Sequence, residues 1–241
     1  MKKICVVLFL ICFPFVAYPS SLNSAYKDYL YGNYEQAVET ARRLRSDDEV
    51  LYFLGLVYMK TRDFSKARIS LDRLIEEFPQ SRVYESGVVK MADTYFLGGY
   101  LSKAKSLYKE IEANGRCSNF MPLVYLRLAQ IYSKEGAWDN KNKYLRLLRA
   151  RYSNSSEMKF VKILEAAGDF FFIQVGAFSD KDNAEGLKGE LKNDYPVYID
   201  EEIKSGYTLY KVRIGDFQER NKVEAISSAL MQKGYPARIY P

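Results

Sequence analysis

The sequence Val/Ile-Gly-x-Phe occurs twice near the C-terminus of this chain, at Val175–Phe178 and at Ile214–Phe217. Each copy closes a run of alternating residues, Phe171–Phe178 and Tyr207–Ile214, and such alternation is typical of a half-buried β-strand. A helical pattern follows each run, and a further short strand pattern follows each helix. The predicted order of elements in this part of the chain is therefore β-α-β-β-α-β.

This order predicts one antiparallel sheet in which strands 1 and 3 are central neighbours, with both helices on one face and the other face open. The second and fourth strands are expected at Pro196–Ile199 and Pro236–Tyr240, and Ser205-Gly206 is expected to turn the chain into strand 3. Asp180 supplies an N-cap for the first helix, and the second helix is expected at Glu219–Gln232.

Alternation also predicts which side chains face outward on the central strands. On strand 1, Gln174 lies in the middle of the outward set, and Gly176 lets another molecule approach the backbone closely. The predicted outward residues are Phe172, Gln174 and Gly176 on strand 1, and Leu209, Lys211 and Arg213 on strand 3. The predicted inward residues are Phe171, Ile173, Val175, Tyr210, Val212 and Ile214.

Residues 170–241 resemble a SPOR domain, the sporulation-related repeat with which bacterial envelope proteins bind peptidoglycan glycan strands. The resemblance is carried by Phe172–Phe178, Asn183-Ala184, Leu209–Gly215, Phe217, Glu224-Ala225 and Tyr235–Ala237. It implies a ferredoxin-like or RNP-like βαββαβ fold and a preference for strands stripped of stem peptides at division sites. The expected glycan-binding residues are Gln174, Gly176, Phe178, Asn183, Leu209, Lys211, Arg213 and Tyr235.

A second pattern, of helical periodicity, governs residues 22–153. Its clearest unit is Leu51-x-x-Leu54-Gly55-x-x-Tyr58 followed by Phe64, Ala67, Leu71, Leu74 and Pro79, which resembles a tetratricopeptide repeat. Gly55 and Ala67 are expected to let two antiparallel helices pack closely. Weaker copies begin around Gly32, Ala92 and Ala129, although Lys141 stands where the fourth copy should have Ala.

Four helical hairpins are expected to stack as a short solenoid, and a helix at residues 156–166 is expected to cap it. The fold class is therefore α+β, with an all-α tetratricopeptide solenoid before the βαββαβ domain. The predicted domains are a signal peptide at 1–21, the repeat domain at 22–168 and the SPOR domain at 169–241. Most aromatic residues of the repeats are expected in the core, and the alternative is a groove for a protein or peptide partner.

The N-terminus is typical of a secretory signal, because Lys2-Lys3 precede the apolar run Ile4–Ala17. That run is shorter than the roughly 20 residues that span a bilayer, so no stable membrane span is expected after cleavage. Cleavage is expected between Ala17 and Ala25, with an uncleaved anchor as the alternative. Cys117 is the one cysteine outside the leader, so no intramolecular disulfide can form in the mature chain.

The chain contains no histidine, which excludes histidine-activated nucleophiles and the common zinc-hydrolase ligand sets. It also lacks a phosphate-binding glycine loop. We therefore expect a non-catalytic protein without a cofactor or metal. Residues 169–241 hold 10 basic and 12 acidic side chains, which disfavours nucleic acid as the ligand.

Three functions fit these patterns. The first is a periplasmic or cell-envelope protein that binds peptidoglycan glycan strands through its SPOR domain and recruits a protein through its repeats. The second is a protein–protein scaffold whose sheet packs on protein and binds no glycan. The third is RNA binding through the open sheet, which the secretion signal and the acidic C-terminal domain disfavour.

Overall fold

The computed structural model of this chain describes residues 21–115 and 117–241. The predicted signal peptide, with Lys2-Lys3, Cys5 and Cys12, lies outside the described residues apart from Ser21. The chain divides after Gly98 into two compact units. The division falls inside the predicted repeat domain, and the domain limits at 22–168 and 169–241 stay a prediction.

The first unit contains five helices that follow the predicted repeat pattern. They are α1 (Leu22–Leu30), α2 (Tyr34–Arg42), α3 (Asp48–Lys60), α4 (Phe64–Glu77) and α5 (Tyr84–Leu97). Asp47 and Asp63 cap the start of α3 and α4, because their carboxylates accept hydrogen bonds from Val50 N–H at 2.9 Å and Lys66 N–H at 3.1 Å.

Close packing of α3 on α4 explains the spacing of the repeat. A Cβ atom at Gly55 would lie 2.8 Å from the Leu71 side chain, and Ala67 is fully buried on the same pair of helices. Tyr58 is also buried, as the repeat pattern predicts. The small residues therefore bring the two helices together, and the larger apolar residues fill the space beside them.

The second unit begins with four helices. They are α6 (Leu101–Asn114), α7 (Met121–Glu135), α8 (Trp138–Arg151) and α9 (Met158–Ala166), with a 3₁₀ turn at Ser118–Phe120 before α7. The helix α9 confirms the helix expected at residues 156–166, and its Val161 is fully buried, whereas Phe160 and Ile163 are exposed. Among the helices of residues 21–115 and 117–241, none is both long and apolar enough to cross a bilayer.

The C-terminal part of this unit is a four-stranded antiparallel sheet with two helices. Its elements are β1 (Phe171–Phe178), α10 (Lys181–Leu191), β2 (Val197–Lys204), β3 (Tyr207–Phe217), α11 (Arg220–Gln232) and β4 (Arg238–Tyr240). The strand order is β2-β3-β1-β4, which confirms the predicted central pair. The two helices and the inward side chains of β1 and β3 form one core.

Three local features differ from the sequence prediction. The third strand continues to Phe217, which pairs with Phe171, although it was expected to end at Ile214. The second strand extends to Lys204 rather than ending at Ile199. The Ser205-Gly206 turn brings the charged residues of this strand alongside β3, so that Lys204 pairs with Tyr207. The first strand contains a β-bulge, since Gln174 pairs with Arg213 whereas Gly176 pairs with Val212.

The bulge changes the face on which Gly176 lies. Val212, its partner across the strands, is fully buried on the helix-covered side. A Cβ atom at Gly176 would meet Leu187 of α10 at 2.9 Å. The prediction that Gly176 shares the open face with Gln174 is therefore wrong, because alternation stops at the extra residue, Val175.

The helices α7–α9 contact the sheet domain at the start of β1 and around the β3–α11 connection. Trp138 packs against Phe171, with ring centroids 5.0 Å apart, and its indole N–H donates to Gln218 C=O at 3.3 Å. The Arg220 guanidinium donates to Lys134 C=O. These contacts lie on the inward side of β1, which Phe171 faces and where it is fully buried.

Candidate functional site

A row of four polar side chains crosses the outward face of the sheet, with one residue from each strand. Tyr198 of β2 pairs with Arg213 of β3, Arg213 pairs with Gln174 of β1, and Gln174 pairs with Arg238 of β4. Residues directly opposite each other in antiparallel strands project from the same face with adjacent side chains. The row therefore aligns a phenol, two guanidinium groups and an amide across the whole sheet.

Two aromatic rings lie next to this row. Phe172 and Tyr240 face each other across β1 and β4, with ring centroids 5.3 Å apart and planes 12° apart. The guanidinium carbon of Arg213 lies 4.3 Å from the centre of the Phe172 ring, and that of Arg238 lies 5.1 Å from the Tyr240 ring. The rings hold the two arginine side chains against the sheet by cation–π contact.

Carboxylates of β2 compensate the cations of β3. Asp200 lies 2.9 Å from the Arg213 guanidinium, and Glu202 lies 2.9 Å from Lys211 Nζ. The hydrogen bond from Lys211 is the main reason why the pKa of Glu202 lies below its usual range. Arg213 and Lys211 remain about one-fifth exposed, at 19% and 20% of their side-chain surface, so both can reach a ligand while the face stays nearly neutral.

Tyr198 lies at the β2 end of the row. Burial, and next the negative charge of Asp216, raise the pKa of its hydroxyl. The hydroxyl also lies 3.5 Å from the Asp216 carboxylate. Tyr198 is therefore protonated at neutral pH, and its O–H donates to Asp216, which leaves the phenol oxygen as an acceptor at the edge of the surface.

The structure brings four of the eight predicted site residues together on the outward face: Gln174, Leu209, Lys211 and Arg213. It places the other four elsewhere. Gly176 lies on the helix-covered face because of the bulge, and Phe178 packs against the core. Asn183 is exposed in the first turn of α10, where its N–H donates to Asp180 Oδ1 at 3.3 Å.

Tyr235 packs beside the same core, and its hydroxyl lies 3.4 Å from Glu190 Oε2 of α10. Its side chain therefore belongs to the helix side of the domain in this structure. Whether these four residues take part in binding stays a prediction, since only the open-face group shares one continuous surface.

Sequence reasoning missed Tyr198, Asp200, Arg238 and Tyr240 as members of this surface. Tyr198 lies inside the expected strand, where its alternation with Val197 and Ile199 could have marked it as outward. Asp200 was missed because the strand was expected to end at Ile199, before its charged residues. The signal for Arg238 and Tyr240 was the alternation of β4, whose two outward residues flank Ile239. Within the two described segments, no group of three His, Cys, Asp or Glu side chains is arranged to hold a metal ion.

Comparison with protein families agrees with this architecture. The profile of the SPOR domain matches residues 167–240. The profile of a tetratricopeptide repeat matches residues 49–81 and 123–155, which contain most of α3–α4 and α7–α8. Comparison with curated proteins finds no match. The protein thus contains tetratricopeptide repeats followed by a C-terminal SPOR domain, a non-catalytic domain of the peptidoglycan-binding kind.

Proposed function

We propose that this protein binds peptidoglycan glycan strands through the outward face of its sheet and recruits a partner protein through its repeats. The observation that carries the glycan proposal is the row Tyr198–Arg213–Gln174–Arg238 beside the stacked rings of Phe172 and Tyr240. A glycan strand offers hydroxyl and acetamido groups together with weakly apolar ring faces. The row and the two rings together form a shallow strip of donors, acceptors and aromatic surface. This strip complements the hydroxyl groups, the acetamido groups and the ring faces of the glycan.

In this proposal the polar and the apolar residues of the outward face have separate roles. Gln174 donates to and accepts from an acetamido or hydroxyl group, because its amide carries both functions. Arg213 and Lys211 donate hydrogen bonds while Asp200 and Glu202 hold them in place. The Tyr240 ring, with Leu209 on β3, supplies apolar contact for the sugar rings. Each hydrogen bond contributes only about 0.5–1.5 kcal/mol net, so one domain binds weakly and depends on dense ligand.

Export and placement are further parts of the proposal. A signal peptide at residues 1–21 would deliver the chain to the periplasm, where peptidoglycan is found. The helix α1 begins at Leu22, so cleavage after Ser21 would leave all its residues in the mature chain, although it would remove the N-cap hydroxyl of Ser21. We further propose that the preferred ligand is a strand stripped of stem peptides, as at division sites, and that the repeat helices position a second protein there.

A sacculus-binding assay tests this proposal with the full mature chain. Purified sacculi, with and without amidase treatment to remove stem peptides, are sedimented with the wild type, with Gln174→Ala and with Gln232→Ala. Gln232 is exposed at the end of α11, away from the strip, so it is a matched control. We expect retention of the wild type and Gln232→Ala and loss of Gln174→Ala. Equal recovery of all three in the supernatant would instead favour a scaffold that binds no glycan.

A further inference from the structure

A groove outside the sheet domain runs between α2 and α4, with α3 as its floor. One part has a volume of about 480 Å³ and the adjoining part about 600 Å³. The two parts meet at Arg42, Tyr58 and Lys66, which line both. The groove is therefore elongated, and it lies on the second helices of the first two helix pairs.

The first part of the groove combines an apolar floor with cationic rims. Leu44 and Leu54 line it together with Ile69, whose surface is 63% exposed. Arg42 lies on the α2 side, and Lys66 and Arg73 lie on the α4 side. Of the described residues that line this part, three are cations and none is a carboxylate. Lys66 and Arg73 pair with Asp63 at 2.6 Å and Glu77 at 2.8 Å outside this lining, so an incoming carboxylate would share these two cations with an existing partner. An anionic group with an apolar neighbour fits this distribution of charge.

Tyr58 adds an unsatisfied donor at the junction of the two parts. It is only 7% exposed, and its hydroxyl has no hydrogen-bond partner among the described residues. Arg42 and Lys66 lie over its ring at 6.0 Å and 5.7 Å from the centroid. A buried hydroxyl without a partner is unfavourable, so an acceptor on a bound chain would improve this position.

We propose that this groove binds an extended acidic segment of a partner protein. A large aliphatic side chain of the segment packs on Leu54 and Ile69, and neighbouring carboxylates pair with Arg42, Lys66 and Arg73. The inference rests on the partner-recruiting half of the proposed function and gives it a location and a ligand chemistry.

The second part of the groove supports a peptide rather than an anionic membrane. Its lining includes Glu35, Glu39 and Asp63 as well as cations. A surface of lipid phosphates would meet these carboxylates unfavourably, whereas a peptide can place polar or basic residues beside them. The two joined parts, of about 480 and 600 Å³, also exceed the volume of a compact anion and can hold several residues of a peptide.

Selection from a random twelve-residue peptide display library against the immobilised full chain tests this inference. We expect enrichment of peptides with Asp or Glu flanking Leu, Ile or Met, and affinity that falls as salt is raised. Arg42→Glu and Ile69→Ser should each weaken the selected peptides about tenfold or more. Arg45→Glu and Leu30→Ser are controls of the same chemistry at exposed positions that do not line the groove.

The outcomes separate this inference from the function on which it rests. If acidic peptides bind all four variants equally, the partner site lies elsewhere. This result would overturn the groove as the binding site but not the recruitment of a partner. Enrichment of basic or neutral peptides, or of none, would overturn it as well, and an absence of any binder would also count against recruitment. Groove-dependent capture of phosphatidylglycerol vesicles without acidic peptides would assign the groove to lipid. Sacculus retention should be unchanged in every variant.

Discussion

Lys141 of α8 forms an ion pair with Asp169, the residue two positions before β1. The Lys141 side chain is only 1% exposed, and its ammonium also donates to Gly168 C=O at 2.7 Å and to Leu164 C=O at 3.3 Å. It occupies the position where the repeat pattern expects Ala. Lys141 therefore connects the last repeat to the end of α9 and to the residues just before the sheet domain.

Replacement of this lysine should destabilise the second unit. Lys141→Met keeps the length of the side chain but removes the ammonium donor from the two carbonyl groups and from Asp169, which retains only its hydrogen bond from Asn142. We expect the free energy of unfolding to fall by about 1–3 kcal/mol in urea denaturation. Lys143→Met, at an exposed position of the same helix, should change it by no more than about 0.5 kcal/mol. Equal effects of the two substitutions would contradict a role for the buried ammonium.

The Asp169 carboxylate predicts a pH dependence of stability. Burial acts to raise its pKa, but hydrogen bonds from Lys141 and Asn142 outweigh burial and hold the pKa below the ordinary value of 3.8. A group with a lowered pKa in the folded state stabilises the fold above its ordinary pKa and loses that contribution as pH falls through the folded value.

Asp169→Asn should therefore be less stable than the wild type at about pH 6, and the difference should shrink towards about pH 2.5. Thermal unfolding of the wild type and of Asp169→Asn across this pH range measures the difference in stability. A stability difference that grows on acidification has the wrong sign for a lowered pKa and would reject this explanation.

Glycine at position 55 is predicted to be required by packing rather than by backbone conformation. Gly55→Ala introduces a methyl group 2.8 Å from Leu71, which is fully buried. We expect a loss of about 1–3 kcal/mol despite the better helix propensity of Ala. Gly189→Ala in α10 meets nothing within 4 Å and should stabilise by up to about 1 kcal/mol. Chemical denaturation of both variants measures the contrast, and a stabilising Gly55→Ala would disprove close packing there.

Trp138 is the single tryptophan of the chain and reports on the contact between α8 and the sheet domain. Because its ring packs on Phe171, Phe171→Ala should expose the indole and shift its emission to longer wavelength. Phe78→Ala, in the first unit, should leave the emission unchanged. An unshifted Phe171→Ala spectrum would mean that the two side chains do not pack together in solution.

Periodicity was sufficient to predict the order of elements, the central strand pair and the inward residues of β1 before the bulge. It failed where pairing, rather than side-chain character, decides the structure. The charged half of β2 forms a strand because β3 pairs with it, and the bulge at Val175 leaves no mark in the alternation. Lys141 could be recognised only as an exception to the repeat, because its partner is 28 residues away in sequence and joins it through the fold.

Recognition of glycan by the outward face of the sheet can be located residue by residue in solution. Amide chemical-shift mapping of the ¹⁵N-labelled full chain tests it most directly, with soluble glycan strands from amidase-treated peptidoglycan as the ligand. We expect dose-dependent shifts at Gln174, Lys211, Arg213 and Arg238, with the exposed residues of α11 unchanged. Shifts confined to α10 and α11, or a spectrum that does not respond to glycan at all, would contradict it.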